Sequence, residues 1–198
     1  VVVGQSGAYL GCSSVFLDSF NAAKAMVGHL ISLGHHRIGC LAVPDHDVNV
    51  GIERKRGYLA ALAEHGIEFD PALLVVGTFE YVSGEAGAKA LMSCAGGPPT
   101  AIFTVTDRLA VAVAGWLQRN GYHVPSDVSI ACVDDPALLS YCYPSITTMS
   151  FDYRLTGMRA GQLLIDAIEG VQGGLVTEVV MPYTLQSRDS TRALTTER

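Results

Sequence analysis

Residues 98–135 read PPTAIFTVTDRLAVAVAGWLQRNGYHVPSDVSIACVDD. The pattern is strand, helix, strand. Ala101 to Val105 is a short apolar, partly β-branched run, as a strand buried on both faces should be. Thr106 and Asp107 are both residue types that cap helix starts. Leu109, Val113, Trp116 and Leu117 then recur at helical spacing. Gly121 stops the helix and Pro125 prevents its restart. Val128 to Val133 is a second buried strand, closed by Asp134 and Asp135. Both strands therefore end in short polar side chains. In a doubly wound α/β sheet that carboxyl edge is where ligands bind.

The alternation continues outward in both directions. Towards the amino end, Val1 to Val3 reads as a strand, and Gly4 to Gly7 as a loop without Rossmann spacing or a P-loop lysine. A helix over 21–33, capped by Asp18 or Ser19, buries Ala22, Ala25, Met26, His29 and Leu30. A strand over 38–43, a loop at 44–47 and a helix over 51–65 follow, with Tyr58, Leu59 and Leu62 inward. Next come a strand over 73–76 and a helix opened by Ser83. Towards the carboxyl end, 136–143 is a short oily loop and 146–150 a strand or crossover segment. A long helix over 153–169, a loop over 170–174 and a strand over 176–181 come next. The polar tail after Ser190 reads as frayed. This order predicts an α/β fold, a doubly wound parallel sheet with helices on both faces.

Hydrophobic residues make up 49% of the 198 and charged residues 16%, which places the chain among soluble globular proteins. The net charge of −6, with no Lys/Arg cluster, argues against nucleic-acid binding by this segment itself. The longest basic run is Arg54-Lys55-Arg56, and one of its residues is expected to face inward. No apolar stretch reaches membrane-spanning length and no signal peptide is expected. Cys12, Cys40, Cys94, Cys132 and Cys142 are odd in number and form no CxxC pair, so buried reduced thiols in a cytoplasmic protein are expected. The missing Met and the abrupt first strand suggest a piece of a longer chain.

Polar or aromatic residues recur at successive strand ends: Asp45 to Asp47, Phe79, Thr106-Asp107 and Asp134-Asp135, with Arg54 near a helix start. An Arg, a carboxylate and an aromatic face around a crevice suit a small polyhydroxylated or planar ligand. Strand-end Asp and Thr also serve as caps, and Asp107 reads as one. For Asp134 with Arg54, ligand contact and turn former both stand. Asp45-His46-Asp47 lacks a second His or Cys cluster, so no metal is expected, and no cofactor either. His35-His36, after a helix stop, reads as a cationic complement to the helix dipole. Without a GxSxG elbow, a phosphate loop or a paired acid and base, no enzyme is expected.

Several segments together resemble one family, the LacI/GalR bacterial transcription regulators. Residues 18–41, DSFNAAKAMVGHLISLGHHRIGCL, resemble its first effector-domain helix and HLxxLGHRRI segment. Arg54 to Tyr58 resembles its RxxGY/F helix start, and 99–111 its PTAIFxxND-xxA stretch. VPSDVSIACVDD at 124–135 resembles VPxDVSVVGFDD. Pro144 to Thr148 resembles P-x-LTT, and LQSRDST at 185–191 the closing LxxRxST. Six matches in the right order make the resemblance specific.

The resemblance implies a periplasmic binding protein-like type I fold. In it, 1–18 would be a remnant of the N-terminal lobe and 19–149 the complete C-terminal lobe. Residues 150–182 would be a further N-lobe helix and strand, and 183–198 the C-terminal crossover and tail. It implies effector contacts at Arg54, Asp134 and Phe79, the last by stacking. Thr106 falls where many members have Asn, Gly4 where a polar contact is common, and Phe151 where some members touch ligand. Val111, Leu138, Leu139, Tyr141 and Cys142 match positions near the family's C-lobe dimer interface. The implied function is allosteric sensing of a small sugar or related metabolite by a cytoplasmic homodimer. Operator DNA would be met only through a helix-turn-helix headpiece absent from these residues. The alternative is a stand-alone periplasmic-type sugar-binding module.

Overall fold

The apolar runs at the centre of the sequence become strands that water does not reach. The computed structural model describes residues 1–171 and 175–194. In chain order the elements are β1 (Val2–Val3), β2 (Ser14–Leu17), α1 (Ser19–Ser32), β3 (Ile38–Ala42), α2 (Arg54–Glu64), β4 (Leu74–Val76), α3 (Tyr81–Met92) and β5 (Ala101–Thr104). Then come α4 (Asp107–Arg119), β6 (Ser129–Val133), α5 (Leu138–Tyr141), β7 (Thr147–Ser150), α6 (Tyr153–Ile168), β8 (Glu178–Met181) and β9 (Thr184–Gln186). The chain divides into two compact units, Val1–Asp18 with Phe151–Thr184, and Ser19–Ser150 with the segment from Leu185 onward.

The larger unit is built on a six-stranded sheet in the order β4-β3-β5-β6-β7-β9. The pairs β3/β4, β3/β5, β5/β6 and β6/β7 are all parallel. Every residue of β3, β5 and β6 is buried, which is why their sequences are continuous apolar runs and not alternating ones. Helices α1 and α2 pack on each other, as do α3 and α4. Gly57 permits the first contact: a Cβ there would lie 2.4 Å from the Phe20 carbonyl oxygen. Met26, Leu30, Tyr58, Leu109, Val113 and Leu117 carry the helical side of the core. The Tyr58 hydroxyl, fully buried, donates to the Ile38 carbonyl at 2.9 Å.

The smaller unit has three parallel strands, β1-β2-β8, with α6 against them. Val15, Leu163 and Met181 form its core, flanked by Leu155, Ala160 and Val179. The Asp152 carboxylate caps α6 by accepting from the Leu155 amide at 2.8 Å.

Several expectations change. Strand β2 lies where the sequence suggested no element. Helix α3 begins at Tyr81, and Ser83 accepts from the Thr78 amide at 2.7 Å instead of opening it. Ala25 faces solvent, while Ala23 and Val27 complete the buried stripe of α1. His35 is no dipole complement. It is buried, and burial pushes its pKa below the ordinary histidine value, which favours the neutral ring. The tail is pinned as far as Leu194, whose amide donates to the Leu33 carbonyl at 2.8 Å. The rest of the tail expected to fray after Ser190, residues 195–198, and part of the loop expected at 170–174 lie outside the described residues.

Candidate ligand-binding site

Strands β5 and β6 run side by side with Thr104 level with Cys132. Two residues further along each chain come Thr106 and Asp134, so the sheet delivers both to one carboxyl edge. After β3 the chain turns at Pro44, and the Asp47 carboxylate caps a π-helical turn by accepting from the Val50 amide at 2.8 Å. That turn, 48–53, folds back closely: a Cβ on Gly51 would lie 2.2 Å from the Pro44 carbonyl oxygen. The chain then enters α2 at Arg54, the inward residue of the basic run, only 3% exposed.

The Arg54 guanidinium is held from three sides. Nη1 and Nη2 donate to the two carboxylate oxygens of Asp134 at 2.7 and 2.9 Å, a fork-on-fork ion pair. Nη1 also donates to the Val105 carbonyl at 2.6 Å, and Nε to Ser19 Oγ at 3.3 Å. These bonds use four of the five guanidinium N–H groups. The fifth, on Nη2, has no partner among the described residues. Each Asp134 oxygen likewise keeps acceptor capacity beyond its one bond to Arg54. The pair is thus fixed in place and still able to bond a ligand.

Asp134 is the one non-glycine residue with positive φ among those described, at 80°. Aspartate tolerates that left-handed backbone better than most residues. Its carbonyl accepts from Thr148 Oγ1 at 2.6 Å, and its amide donates to the Met149 carbonyl at 3.2 Å. β7 therefore locks the strained residue in its turn. The neighbouring Asp135 goes to a different partner, accepting from Arg188 Nη2 at 2.8 and 3.0 Å.

Thr106, buried, caps α4: its Oγ1 accepts from the Leu109 amide at 3.4 Å. The cap expected of Asp107 is therefore Thr106's, and Asp107 is the first helical residue. Burial raises the pKa of its half-buried carboxyl, and the charge of Asp134 adds to the effect. The amides at the helix start and Arg108 pull it down, less strongly. Phe79 lies half-buried in the turn between β4 and α3, at the same edge as the loops after β3 and β5. Arg54, Asp134, Thr106 and Phe79 therefore all belong to one edge of the larger unit. Phe151 belongs to the smaller unit, its ring 4.4 Å from that of Tyr153. Gly4 is in the smaller unit as well. Asp45 is paired with Lys55. Among the described residues, no group of three or more His, Cys, Asp and Glu side chains is placed to hold a metal ion.

Of the interface candidates, Leu138 and Tyr141 are exposed at 51% and 85%, and Val111 and Cys142 are half-buried. Leu139 departs from that reading. It lies on the inner side of α5 with no exposed area, so it packs within its own unit. Sequence reasoning missed Ser19, which steadies Arg54, and Tyr143, exposed at 91% beside the candidate interface. It also missed the partner of Asp135: Arg188 was visible only as part of a motif.

The sequence pattern of the periplasmic binding protein-like domain family matches residues 27–191. The chain is 34% identical over 196 residues to the HTH-type transcriptional repressor CytR of Escherichia coli K12, covering 98% of this chain and 56% of that protein. A solved CelR–cellobiose complex superposes with a TM-score of 0.84 at 31% identity, over 91% of this chain and 54% of that one. A LacI family regulator from Enterococcus faecium with bound ribose gives 0.85 at 28% identity, over 93% and 67%. The chain spans about half the length of the curated relatives it matches.

Proposed function

Since this chain belongs to the periplasmic binding protein-like domain family, as a LacI-type effector-binding domain, we propose that it senses a small sugar or related metabolite and so controls transcription. The observation that carries this reading is the buried Arg54–Asp134 fork at the strand-end edge, with one guanidinium N–H and several carboxylate lone pairs left for a ligand. Phe79 supplies an apolar face for a ring, and Thr106 a hydroxyl. The parent protein is a cytoplasmic homodimer that meets operator DNA through a separate headpiece. The effector acts by differential affinity for two arrangements of its domain, and no covalent chemistry is needed. The curated relatives are named as HTH-type regulators, which favours this reading over a stand-alone sugar-binding module.

The test is calorimetry on the full-length protein, after a thermal-shift screen of sugars, polyols and purines. Arg54→Lys keeps the charge and loses the planar fork. Phe79→Ala removes a stacking face worth about 1 kcal/mol, roughly fivefold in affinity. Both variants should bind the selected ligand at least several-fold more weakly. Unchanged affinity in both would overturn the assignment.

A further inference from the structure

We propose that Thr148 is a positioning residue of the effector site: its hydroxyl holds the turn that aims the Asp134 carboxylate, and so sets how tightly effector binds. This rests on the effector-site reading above and adds to it a residue that touches no ligand.

The turn comes first. Strands β6 and β7 pair with Cys132 level with Thr148 and Val133 level with Met149. Asp134 follows directly, just past the end of β6, with its φ of 80°. The backbone angle sets where a side chain leaves the chain, so this φ and the fork on Arg54 belong together. An aspartate at ordinary negative φ would carry its carboxylate off that line. L residues resist the left-handed region, so the surroundings must hold Asp134 in it.

Two hydrogen bonds hold it. The Asp134 amide donates to the Met149 carbonyl at 3.2 Å, a main-chain bond that any residue at 149 would accept. The Asp134 carbonyl accepts from Thr148 Oγ1 at 2.6 Å, a bond that needs this side chain. The Cys132 carbonyl lies farther from the same hydroxyl, at 3.2 Å, and the shorter contact takes its one proton. The Cys132 thiol is no substitute. It is a weak donor, 3.9 Å from the Asp134 carbonyl and nearer to Thr148 Oγ1 at 3.3 Å.

The strand itself has no need of a hydroxyl. Thr148 has no exposed area. Valine has the same branched shape, suits a buried strand and buries no polar group. What distinguishes threonine here is the bond its hydroxyl makes, and that bond ends on the turn of Asp134. The consequence for binding follows. The carboxylate is already set on Arg54 before ligand arrives, so binding does not have to order it. Without the hydroxyl the carbonyl loses its partner, the turn relaxes, and ligand must rebuild the fork.

The test is calorimetry on the full-length protein with cellobiose, ribose and adenosine as probes, at a temperature where every variant is folded. Thr148→Val should weaken binding by about tenfold, the upper end for one hydrogen bond. Thr148→Ser keeps the hydroxyl and should bind nearly as wild type. Leu91→Ala controls for lost stability. Leu91 is fully buried near the amino end of β3, where a Cβ on Gly39 would lie 3.1 Å from its Cδ2. That variant should melt lower and bind as wild type. Equal losses in Thr148→Val and Leu91→Ala, or in Thr148→Val and Thr148→Ser, overturn the proposal. So does unchanged affinity in Thr148→Val where Arg54→Lys loses binding, a result that keeps the effector site and removes only Thr148. If Arg54→Lys binds normally, the site reading falls and this proposal with it. If no probe binds, the crystal structure of full-length Thr148→Val decides. An Asp134 carboxylate displaced from Arg54 upholds the role, and an unchanged turn and fork overturn it.

Discussion

The ring of His35 is almost out of water, with Nδ1 3.0 Å from Thr100 Oγ1 and Nε2 3.1 Å from the Arg192 carbonyl. A carbonyl only accepts, so Nε2 holds the proton of the neutral ring and Nδ1 accepts from the Thr100 hydroxyl. Burial pushes the His35 pKa down, and burial does the same to His29 on α1. The folded values therefore lie below the unfolded one, near 6.5. Between the two, the unfolded chain binds more protons, so stability rises with pH there. It is complete above about pH 6.5 and lost as pH falls below it. Melting temperature should drop between pH 7.5 and 5.5, and His35→Gln should flatten that slope from a lower starting point. An equal slope in the variant would move the titration to another group. Sequence showed two histidines after a helix stop, a pattern that fits a solvated dipole partner equally well. The burial of His35 was invisible because the cover comes from Arg192, more than 150 residues away. Arg54 and Asp134 were singled out by the family resemblance, because on the residues alone ligand contact and turn former both stood. How Asp134 and Asp135 divide between two arginines was not legible: neighbouring strand-end side chains diverge, and only the backbone decides which goes where.

A single turn of helix, α5, holds two leucines with different roles. Leu138 and Tyr141 face outward and Leu139 faces the core. An exposed apolar surface of this kind suits a second subunit. Leu138→Asp should shift the full-length protein from dimer towards monomer in sedimentation experiments, with its melting profile kept. Leu139→Ala should destabilise the fold by about 2–5 kcal/mol, the range for emptying a buried leucine site. Denaturant unfolding measures it, and an equal effect of both variants on assembly would remove the distinction. The sequence placed four of the five interface candidates, all but Val111, in one oily loop because four residues are too few for a helical period. The long helices and the three buried strands were legible for the opposite reason. Their runs are long or wholly apolar, and glycines stand at their ends. β2 failed the same criterion as α5, at four residues beginning with serine.

The larger unit is discontinuous: the chain leaves it after Ser150 and returns at Leu185. The residues after Ser190 read as a frayed polar tail, yet the polarity of the returning segment is an inventory of buried bonds. Arg188 neutralises Asp135, whose side chain is only 14% exposed, and donates to the Ile146 carbonyl at 2.7 Å. Ser190, fully buried, accepts from the Thr147 amide at 2.8 Å and donates to the Ile130 carbonyl at 2.6 Å. The Arg192 amide donates to Ser129 Oγ at 3.2 Å, and its carbonyl holds His35. Polar side chains read as surface on composition alone, because sequence does not reveal that their partners are orphaned backbone groups on β6 and β7. Ending the chain after Gln186 would leave Asp135 charged, buried and unpaired, at about 3–5 kcal/mol, before the orphaned backbone groups are counted. Domains of this size are stable by about 5–15 kcal/mol. The truncated full-length protein should therefore lose most of its cooperative unfolding transition in urea. Asp135→Asn introduced into the truncated chain removes the unpaired charge and should restore part of the midpoint. If truncation leaves the midpoint unchanged, the tail bonds do not hold this unit together. If it lowers the midpoint and Asp135→Asn restores nothing, the loss comes from the Ser190 and Arg192 bonds, and the Arg188 pair contributes little.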